Sequence, residues 1–237
     1  FLFLGSLSFL VCLLQAFGQD IWFDEVFSVN YIQHSYKEIA ALTGKDVHPP
    51  LYYWYLKLFH DIGKVLVPAA SSIVLCKLAS MLPFVGIFVY TLTAIRKNFG
   101  LHTAGLFWFL IMTMPQISNY TVEIRMYSLA LFFITAAFVH SYELVCAFPA
   151  QEISEAERTA EPGAAGSEVT SGAVLASGSV TGENGLIKWW KRNKHWLLFW
   201  VYGILTAYTQ YYACVAVIAI YIAVFIFYAV MAHKNKI

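Results

Sequence analysis

The sequence predicts an all-α polytopic membrane protein with about six transmembrane helices. Of its 237 residues, 59% are hydrophobic and only 12% are charged, and the mean hydropathy is +0.64. A soluble domain of this size does not need so much apolar surface. A net charge of +1 argues against a nucleic-acid partner. The lipid bilayer is therefore the expected environment.

Six apolar stretches have about the length that a bilayer core demands, which is about 20 residues. They lie at about 1–18, 71–95, 101–118, 126–148, 196–212 and 213–232. Basic runs alternate so that they share one side, which should be the cytoplasm. These runs are Arg96-Lys97, Lys188–Lys194 and Lys234–Lys236. The expected location is the plasma membrane, with the first loop and the turn at 119–125 outside the cytoplasm.

The first loop, residues 19–67, is expected to contain two amphipathic helices that lie on the membrane surface. In the first helix the apolar residues recur at helical spacing, at Val29, Ile32, Tyr36 and Ile39. The second helix follows a Pro-Pro pair, which fits only the first turn of a helix. Its expected polar face consists of Tyr53, Lys57, His60, Asp61 and Lys64.

A change of composition divides the chain. Residues 149–187 are rich in Ala, Gly, Ser, Thr and Glu, which predicts a disordered cytoplasmic insertion. It separates an N-terminal core, 1–148, from two further transmembrane helices in 188–237. Because Phe1 lies inside an apolar run, the chain is expected to be a fragment of a longer protein. Lys77, near the outer end of the second apolar stretch, is expected to snorkel to the lipid headgroups.

Asp24-Glu25 is the first candidate for chemistry, and two interpretations are open. Asp24 could be an N-cap that accepts amide hydrogen bonds, with Glu25 placed favourably at the positive end of the helix dipole. Alternatively, one of these carboxylates is a general base for a hydroxyl group or a metal ligand. The dipeptide by itself does not separate the two interpretations.

Asp46 and His48 form the second candidate, on an irregular turn before the Pro-Pro pair. Carboxylate and imidazole side chains at this spacing can point at one divalent cation. The other interpretation is a turn aspartate followed by a solvated histidine.

Glu123 and Arg125 form the third candidate. Residues two apart on a helix do not face one another, so a simple ion pair between them is not expected. The planar guanidinium of Arg125 suits a phosphate, which it can bind through two oxygens, or it could snorkel to lipid phosphate. Gln210 and Tyr211, in the turn of the last hairpin, either line the same face or serve as packing and interface anchors.

Taken together, these stretches resemble the C-class membrane glycosyltransferases (GT-C) that use polyprenyl-phosphate-linked sugars. The branch in question contains dolichyl-phosphate-mannose protein mannosyltransferases, lipid A aminoarabinose transferases and the bacterial family 39 enzymes. The residues that carry the resemblance are Asp24-Glu25, Asp46-Val47-His48-Pro49-Pro50-Leu51-Tyr52-Tyr53 and Glu123-Ile124-Arg125-Met126-Tyr127-Ser128-Leu129. Their order and spacing agree with the family over residues 1–148, and the later helices agree more loosely.

The resemblance implies transfer of a sugar from polyprenyl phosphate to a lipid, glycan or protein hydroxyl outside the cytoplasm, with inversion at the anomeric carbon. It makes Asp24 the base, or the residue that orients the base. Glu25, Asp46 and His48 would surround the acceptor or a divalent metal ion, whose presence is left open. Arg125 would hold the departing phosphate. Beside it we expect Glu123 and Tyr127, and in the cavity wall Tyr52, Gln210 and Tyr211.

The family pattern is not complete in this chain. Many relatives have Arg where this sequence has Lys77, and many have His near Gln210. Such enzymes also usually have more transmembrane helices. The alternative function is a non-catalytic polytopic membrane protein, either a transporter or an assembly subunit. A transporter should place ionisable residues inside its membrane spans, and only Lys77, His140 and Glu143 come near that description.

Overall fold

The protein is a helical bundle in the part described by the computed structural model, residues 1–18, 20–45, 48–160 and 185–234. The prediction of an all-α chain is confirmed, since no strand occurs in those ranges. The helices are α1 (Leu2–Gln15), α2 (Phe23–Tyr31), α3 (Tyr36–Thr43), α4 (Leu51–Leu66), α5 (Ser72–Tyr90), α6 (Arg96–Thr113), α7 (Ile117–Val122), α8 (Tyr127–Ala160), α9 (Gly185–Thr209) and α10 (Ala213–Lys234). A π-helical turn, Thr91–Ile95, joins α5 to α6.

Three helical stretches are long and apolar enough to cross a membrane, judged by length and composition over the described residues. They are 72–113, 127–148 and 213–234, and the shorter α1 is also apolar. The structure is therefore compatible with a membrane protein. The number of six crossings stays a prediction, as does the orientation.

The first of these stretches reverses direction at Gly100. This glycine has φ +82° and ψ 167°, a conformation outside the helical region. The rings of Phe88 and Trp108 then lie only 4.8 Å apart. In a straight helix, residues twenty apart would be separated by about 30 Å. The helices α5 and α6 thus run antiparallel, in the order expected for the second and third apolar stretches.

The first loop contains three helices, α2 to α4, so the prediction of two is wrong. The apolar spacing from Val29 to Ile39 crosses a helix boundary, because α2 ends at Tyr31 and α3 begins at Tyr36. Ser35 starts the new helix. Its Oγ accepts the Glu38 backbone N–H at 3.3 Å, and its own N–H donates to Glu38 Oε2 at 2.8 Å. This reciprocal cap takes precedence over the uninterrupted periodicity.

The helix α4 begins after the Pro-Pro pair, as the sequence predicts, but its expected polar face is partly buried. Tyr53 is 1% exposed and packs edge-on against Tyr31 of α2, with ring centroids 4.8 Å apart. His60 is 8% exposed, and its Nε2 lies 3.1 Å from Ser72 Oγ. The helix therefore packs between α2 and α5, and these two polar side chains are not open to water.

The boundary of the predicted insertion differs in the structure. α8 continues to Ala160, so the first part of the segment 149–187 is helical, and α9 begins at Gly185. The remainder of that segment, 161–184, lies outside the described residues. Asp46, a predicted catalytic and metal-binding residue, also lies outside them.

Candidate functional site

The three candidate motifs meet where α2 packs against the segment that enters α8. A buried apolar cluster joins these elements to α4 and α5, and its members include Ile32, Tyr52, Cys76, Ile124, Met126 and Leu129. This cluster fixes the backbone of α2 and of the segment that enters α8. The polar side chains beside it are therefore held in defined positions. The site is thus built on packed helices, with loop segments between them.

Arg125 lies at the centre of the site and is 7% exposed. One terminal nitrogen is 3.7 Å from Asp24 Oδ2 and 3.3 Å from His48 Nε2. The other lies 3.5 Å from the Asp24 carbonyl oxygen. The fold therefore brings together one residue from each sequence motif. The guanidinium is directed into the protein and not toward lipid headgroups.

Three polar atoms in or beside these motifs are buried without a hydrogen-bond partner among the described residues. They are Arg125 Nε, Ser28 Oγ and Ser128 Oγ. Ser28 is one turn beyond Asp24 on α2, and Ser128, in the first turn of α8, is three residues beyond Arg125. Buried polar groups are almost always paired, so an orphaned donor at a candidate site indicates a ligand or ordered water there.

The N-cap interpretation of Asp24 is wrong. The helix α2 begins at Phe23 and its N-cap is Trp22, so Asp24 lies inside the first turn. It is Glu25 that satisfies the cap, because its Oε2 accepts the Trp22 backbone N–H at 3.0 Å. The Asp24 carboxylate, about one third exposed, is thereby directed to Arg125 and to solvent.

Glu25 is 5% exposed, and both of its carboxylate oxygens accept backbone hydrogen bonds. Besides the Trp22 bond, Oε1 accepts the Ile124 N–H at 2.8 Å, across 99 residues of sequence. A carboxylate with both oxygens engaged in this way is poorly placed to act as a base. We assign Glu25 a positioning role: it holds the start of α2 against the segment that carries Arg125.

Glu123 and Arg125 both lie in the non-helical segment between α7 and α8, so the helix-spacing argument does not apply to them. Glu123 has an extended backbone, φ −63° and ψ 129°, and borders a cavity of about 470 Å³. The side chains that line this cavity are those of Asp20, Trp22, Glu25, Lys77, Gln116, Asn119, Tyr120, Val122, Glu123 and Tyr127. Aromatic rings, amides, carboxylates and one ammonium group thus surround this space, whereas Asp24, His48 and Arg125 are not among its lining residues.

Burial raises the pKa of Glu123 above its ordinary value, and the nearby Glu25 carboxylate raises it further. The Arg125 charge and a hydrogen bond with the Trp22 side chain act in the opposite direction and are weaker. A carboxyl group with a raised pKa in a cavity is a candidate for acid–base work, or for donating a hydrogen bond to an oxygen of a ligand.

Lys77 does not snorkel to the lipid headgroups, and that prediction is wrong. It is 5% exposed, and its Nζ donates to the carbonyl oxygens of Gly18 at 3.0 Å and Asp20 at 2.8 Å. These carbonyls lie in the segment between the end of α1 and the start of α2. Lys77 therefore fastens the chain between α1 and α2 to α5, and it forms part of the cavity wall.

The divalent metal ion expected at His48 and Asp46 stays a prediction, because Asp46 lies outside the described residues. The Nε2 of His48 faces the positive guanidinium of Arg125 at 3.3 Å. Among the described residues, no three His, Cys, Asp or Glu side chains are grouped so that they could hold a metal ion. A metal at His48 would have to displace Arg125 and meet its charge. No step below is therefore assigned to a metal.

The remaining predicted residues occupy three different places. Tyr127 borders the cavity and packs edge-on against Tyr120, with ring centroids 5.3 Å apart. Tyr52 is completely buried, with its hydroxyl 3.4 Å from Ser80 Oγ, and is not among the cavity residues. Gln210 and Tyr211 lie in the turn between α9 and α10, also away from the cavity wall.

Several cavity residues were not singled out from the sequence. Gln116 has φ +66°, a left-handed conformation that is uncommon for a residue other than glycine, and its Oε1 accepts the Asn119 Nδ2–H at 2.7 Å. Trp22 contributes a half-exposed indole. The sequence signal that could have indicated this group was a polar pair, Gln116 and Asn119, between Pro115 and the Glu123 motif.

Comparison of the chain with family models, with curated proteins and with solved structures gives no significant match. Function is accordingly inferred from the chemistry of this site.

Proposed function

We propose that the chain carries the reaction centre of a membrane glycosyltransferase, which moves a sugar from a polyprenyl-phosphate donor to a hydroxyl group of a lipid, glycan or protein. The observation that carries the proposal is the placement of Arg125. A buried guanidinium, whose Nε has no hydrogen-bond partner within the described part of the chain, lies 3.7 Å from a partly exposed carboxylate, Asp24, at the entrance to an apolar helix. The resemblance of the three motifs to GT-C enzymes supports the same conclusion.

Arg125 is suited to the departing phosphate. A guanidinium can bind two phosphate oxygens at once, and each charge-assisted hydrogen bond is worth roughly 1.5–3 kcal/mol. Since its charge is largely removed from water, the stabilisation of developing negative charge is stronger than it would be at the surface. The apolar stretches beside the site would place a prenyl chain in the bilayer while the phosphate lies at its edge.

Asp24 is suited to the acceptor. Its carboxylate is partly exposed, and it is fixed on the first turn of α2 by the Glu25 hydrogen bonds. In the proposed reaction Asp24 takes the proton of the acceptor hydroxyl as that oxygen forms a bond to the anomeric carbon. The bond between this carbon and the phosphate oxygen breaks, and its electron pair leaves with the phosphate, which Arg125 holds.

The site lies at one end of the bundle. Arg125 precedes α8, whereas Lys97 lies 3.5 Å from Glu143, which is eighteen residues further along the chain, or roughly 27 Å of helix. Basic side chains that favour the cytoplasmic side are thus remote from the candidate site. This separation supports a reaction centre on the extracytoplasmic face of the membrane.

The test is sugar transfer from a radiolabelled polyprenyl-phosphate-sugar pool in membranes that contain the chain. Asp24→Asn should abolish transfer, because the amide cannot accept the proton, while the protein stays folded. Arg125→Lys should also lower transfer strongly, because one ammonium group cannot replace the planar fork. Asp61→Asn is the matched control, since this carboxylate is half exposed and its ion-pair partners in the described ranges are its neighbours Lys57 and His60 on α4.

Transfer that is equal in the wild type and in Asp24→Asn would overturn the proposal. Uptake of a solute by vesicles that contain the chain, without any sugar transfer, would favour the alternative of a transporter. Circular dichroism and size-exclusion profiles of each variant separate a loss of chemistry from a loss of folding.

A further inference from the structure

A second polar cluster lies inside the bundle, remote from the candidate reaction centre. It joins α5, α8 and α9 through Tyr90, His140, His195 and Tyr202. His140 is 7% exposed, and its ring stacks on that of Tyr202 with an interplanar angle of 6°. Ionisable side chains inside an apolar helical bundle are rare, and they usually have a function.

The hydrogen bonds of this cluster form a single chain, in which each side chain donates to the next. The Tyr90 hydroxyl donates to Tyr202 Oη at 3.2 Å, so its oxygen accepts from His140 Nε2 at 3.1 Å. With Nε2 protonated, a neutral His140 has a lone pair on Nδ1. His195 Nδ1 lies 2.9 Å from that atom and must therefore donate its proton to it. The chain His195–His140–Tyr90–Tyr202 is complete when both imidazoles are neutral.

This arrangement limits the number of protons that the pair can hold. If one proton is added to His195, the ring still donates from Nδ1 and every hydrogen bond survives. If a second proton is added, both Nδ1 atoms carry hydrogen and face each other at 2.9 Å without an acceptor. Two positive charges at that distance inside the bundle also repel strongly. The doubly protonated pair is thus incompatible with the observed packing of α8 and α9.

The charged groups around the pair allow one positive charge but do not compensate two. Glu143, on α8, is the nearby acidic group, and Lys194 and Lys97 are the nearby basic groups, on α9 and α6. Glu143 is already engaged, since its Oε1 accepts from Asn98 Nδ2 at 2.8 Å and lies 3.5 Å from Lys97 Nζ. A second proton on the histidines would meet two ammonium groups and one shared carboxylate.

We propose that His140 and His195 form a proton-binding site that holds α9 against α8 with at most one added proton, and that binding of a second proton releases this contact. The site is independent of the proposed glycosyl transfer, because it lies on other side chains, and His140 is fifteen residues beyond Arg125 along the chain. Acidification that reaches this pair loosens the junction of α5, α8 and α9.

The experiment is amide hydrogen exchange of the full chain in nanodiscs, followed by mass spectrometry and corrected for the intrinsic pH dependence of exchange. Between about pH 7.5, above the ordinary pKa of histidine, and about pH 4, well below it, the protection of α9 amides in the wild type should fall ~10-fold or more, because the second proton must overcome the repulsion of the first. His195→Asn retains an N–H donor near the position of Nδ1 and cannot be protonated, so its protection should not change with pH.

Two further variants complete the test. His102→Asn replaces an exposed histidine on α6 and should behave as the wild type does. Glu143→Gln removes the carboxylate that favours protonation, so the loss of α9 protection should occur at a lower pH than in the wild type, whether or not His195→Asn folds. The proposal is overturned if wild-type protection is independent of pH, if folded His195→Asn loses as much protection as the wild type, or if Glu143→Gln leaves the midpoint unchanged.

Discussion

The Glu25 carboxylate accepts the backbone N–H of Ile124 at 2.8 Å, a hydrogen bond that spans 99 residues of sequence and is fully buried. It connects the first turn of α2, which carries Asp24, to the segment that carries Arg125. The distance between the proposed base and the proposed phosphate ligand therefore depends on a third residue, which need not contact a substrate.

Glu25→Gln should destabilise the fold and weaken transfer at the same time. A glutamine has one acceptor oxygen, so its NH₂ group must face either the Ile124 or the Trp22 N–H, and one donor remains unpaired. The expected loss is about 1.5–3 kcal/mol, the range for hydrogen bonds to charged groups. Thermal unfolding in detergent measures this loss of stability.

Glu38→Gln is the matched control, because Glu38 makes the same capping contact at an exposed position. Equal losses in both variants would contradict a special role for the Ile124 bond.

Lys77→Met should destabilise the junction of α1 and α2. The substitution keeps the apolar stem but leaves the Gly18 and Asp20 carbonyl oxygens without their donor, at an expected loss of about 1–3 kcal/mol. Lys77→Arg should recover part of this stability, because a guanidinium can reach both carbonyls. Lys37→Met, at an exposed position on α3, should change stability by less than about 0.5 kcal/mol. A Lys77→Met protein as stable as the wild type would show that the two contacts contribute nothing.

Much of the fold could be predicted from local properties of the sequence. The apolar stretches and the Pro-Pro start of α4 were recognised because hydropathy and the missing proline N–H act within a few residues. The argument that Glu123 and Arg125 do not face one another assumed a helix, whereas both lie in the non-helical segment between α7 and α8. The grouping of Asp24, His48 and Arg125 was expected from the resemblance, and the structure places these three side chains together.

The sequence predictions were wrong mainly for side chains whose hydrogen-bond partners lie far away in the sequence. Lys77 looks like a headgroup ligand in sequence, because the carbonyls that bind it are 57 and 59 residues away. Asp24 and Glu25 are adjacent acids in the same turn, and only the position of Ile124 determines which one is a structural acceptor. The break before α3 was visible in the Ser35–Glu38 pair, but the longer apolar periodicity was given more weight.

Gly100→Ala should destabilise the hairpin of α5 and α6 through backbone strain alone. A Cβ at this position would meet no atom within 4 Å, so no steric clash contributes. The residue has φ +82°, which alanine rarely adopts, and the expected loss is about 1–3 kcal/mol. Gly44→Ala is the control, because Gly44 has φ −63° at the end of α3. A loss at Gly44 that equals the loss at Gly100 would point to helix-end packing instead of strain.

Glu123 should make the stability of the protein depend on pH in the opposite sense to an ordinary ion-paired carboxylate. Its pKa in the folded protein is raised above the ordinary value of 4.5, so the folded state binds the proton more tightly than the unfolded state does. Its contribution to stability is therefore full below about pH 4.5 and is lost as the pH rises through the folded-state pKa.

Glu123→Gln mimics the protonated carboxyl, so this variant should lack that loss and should be at least as stable as the wild type at pH 7. Thermal unfolding of both proteins from about pH 4.5 to pH 7 measures the difference in their stability. If the wild type gains stability relative to Glu123→Gln as the pH rises, Glu123 is an ion-paired carboxylate, and its pairing with Arg125 outweighs burial.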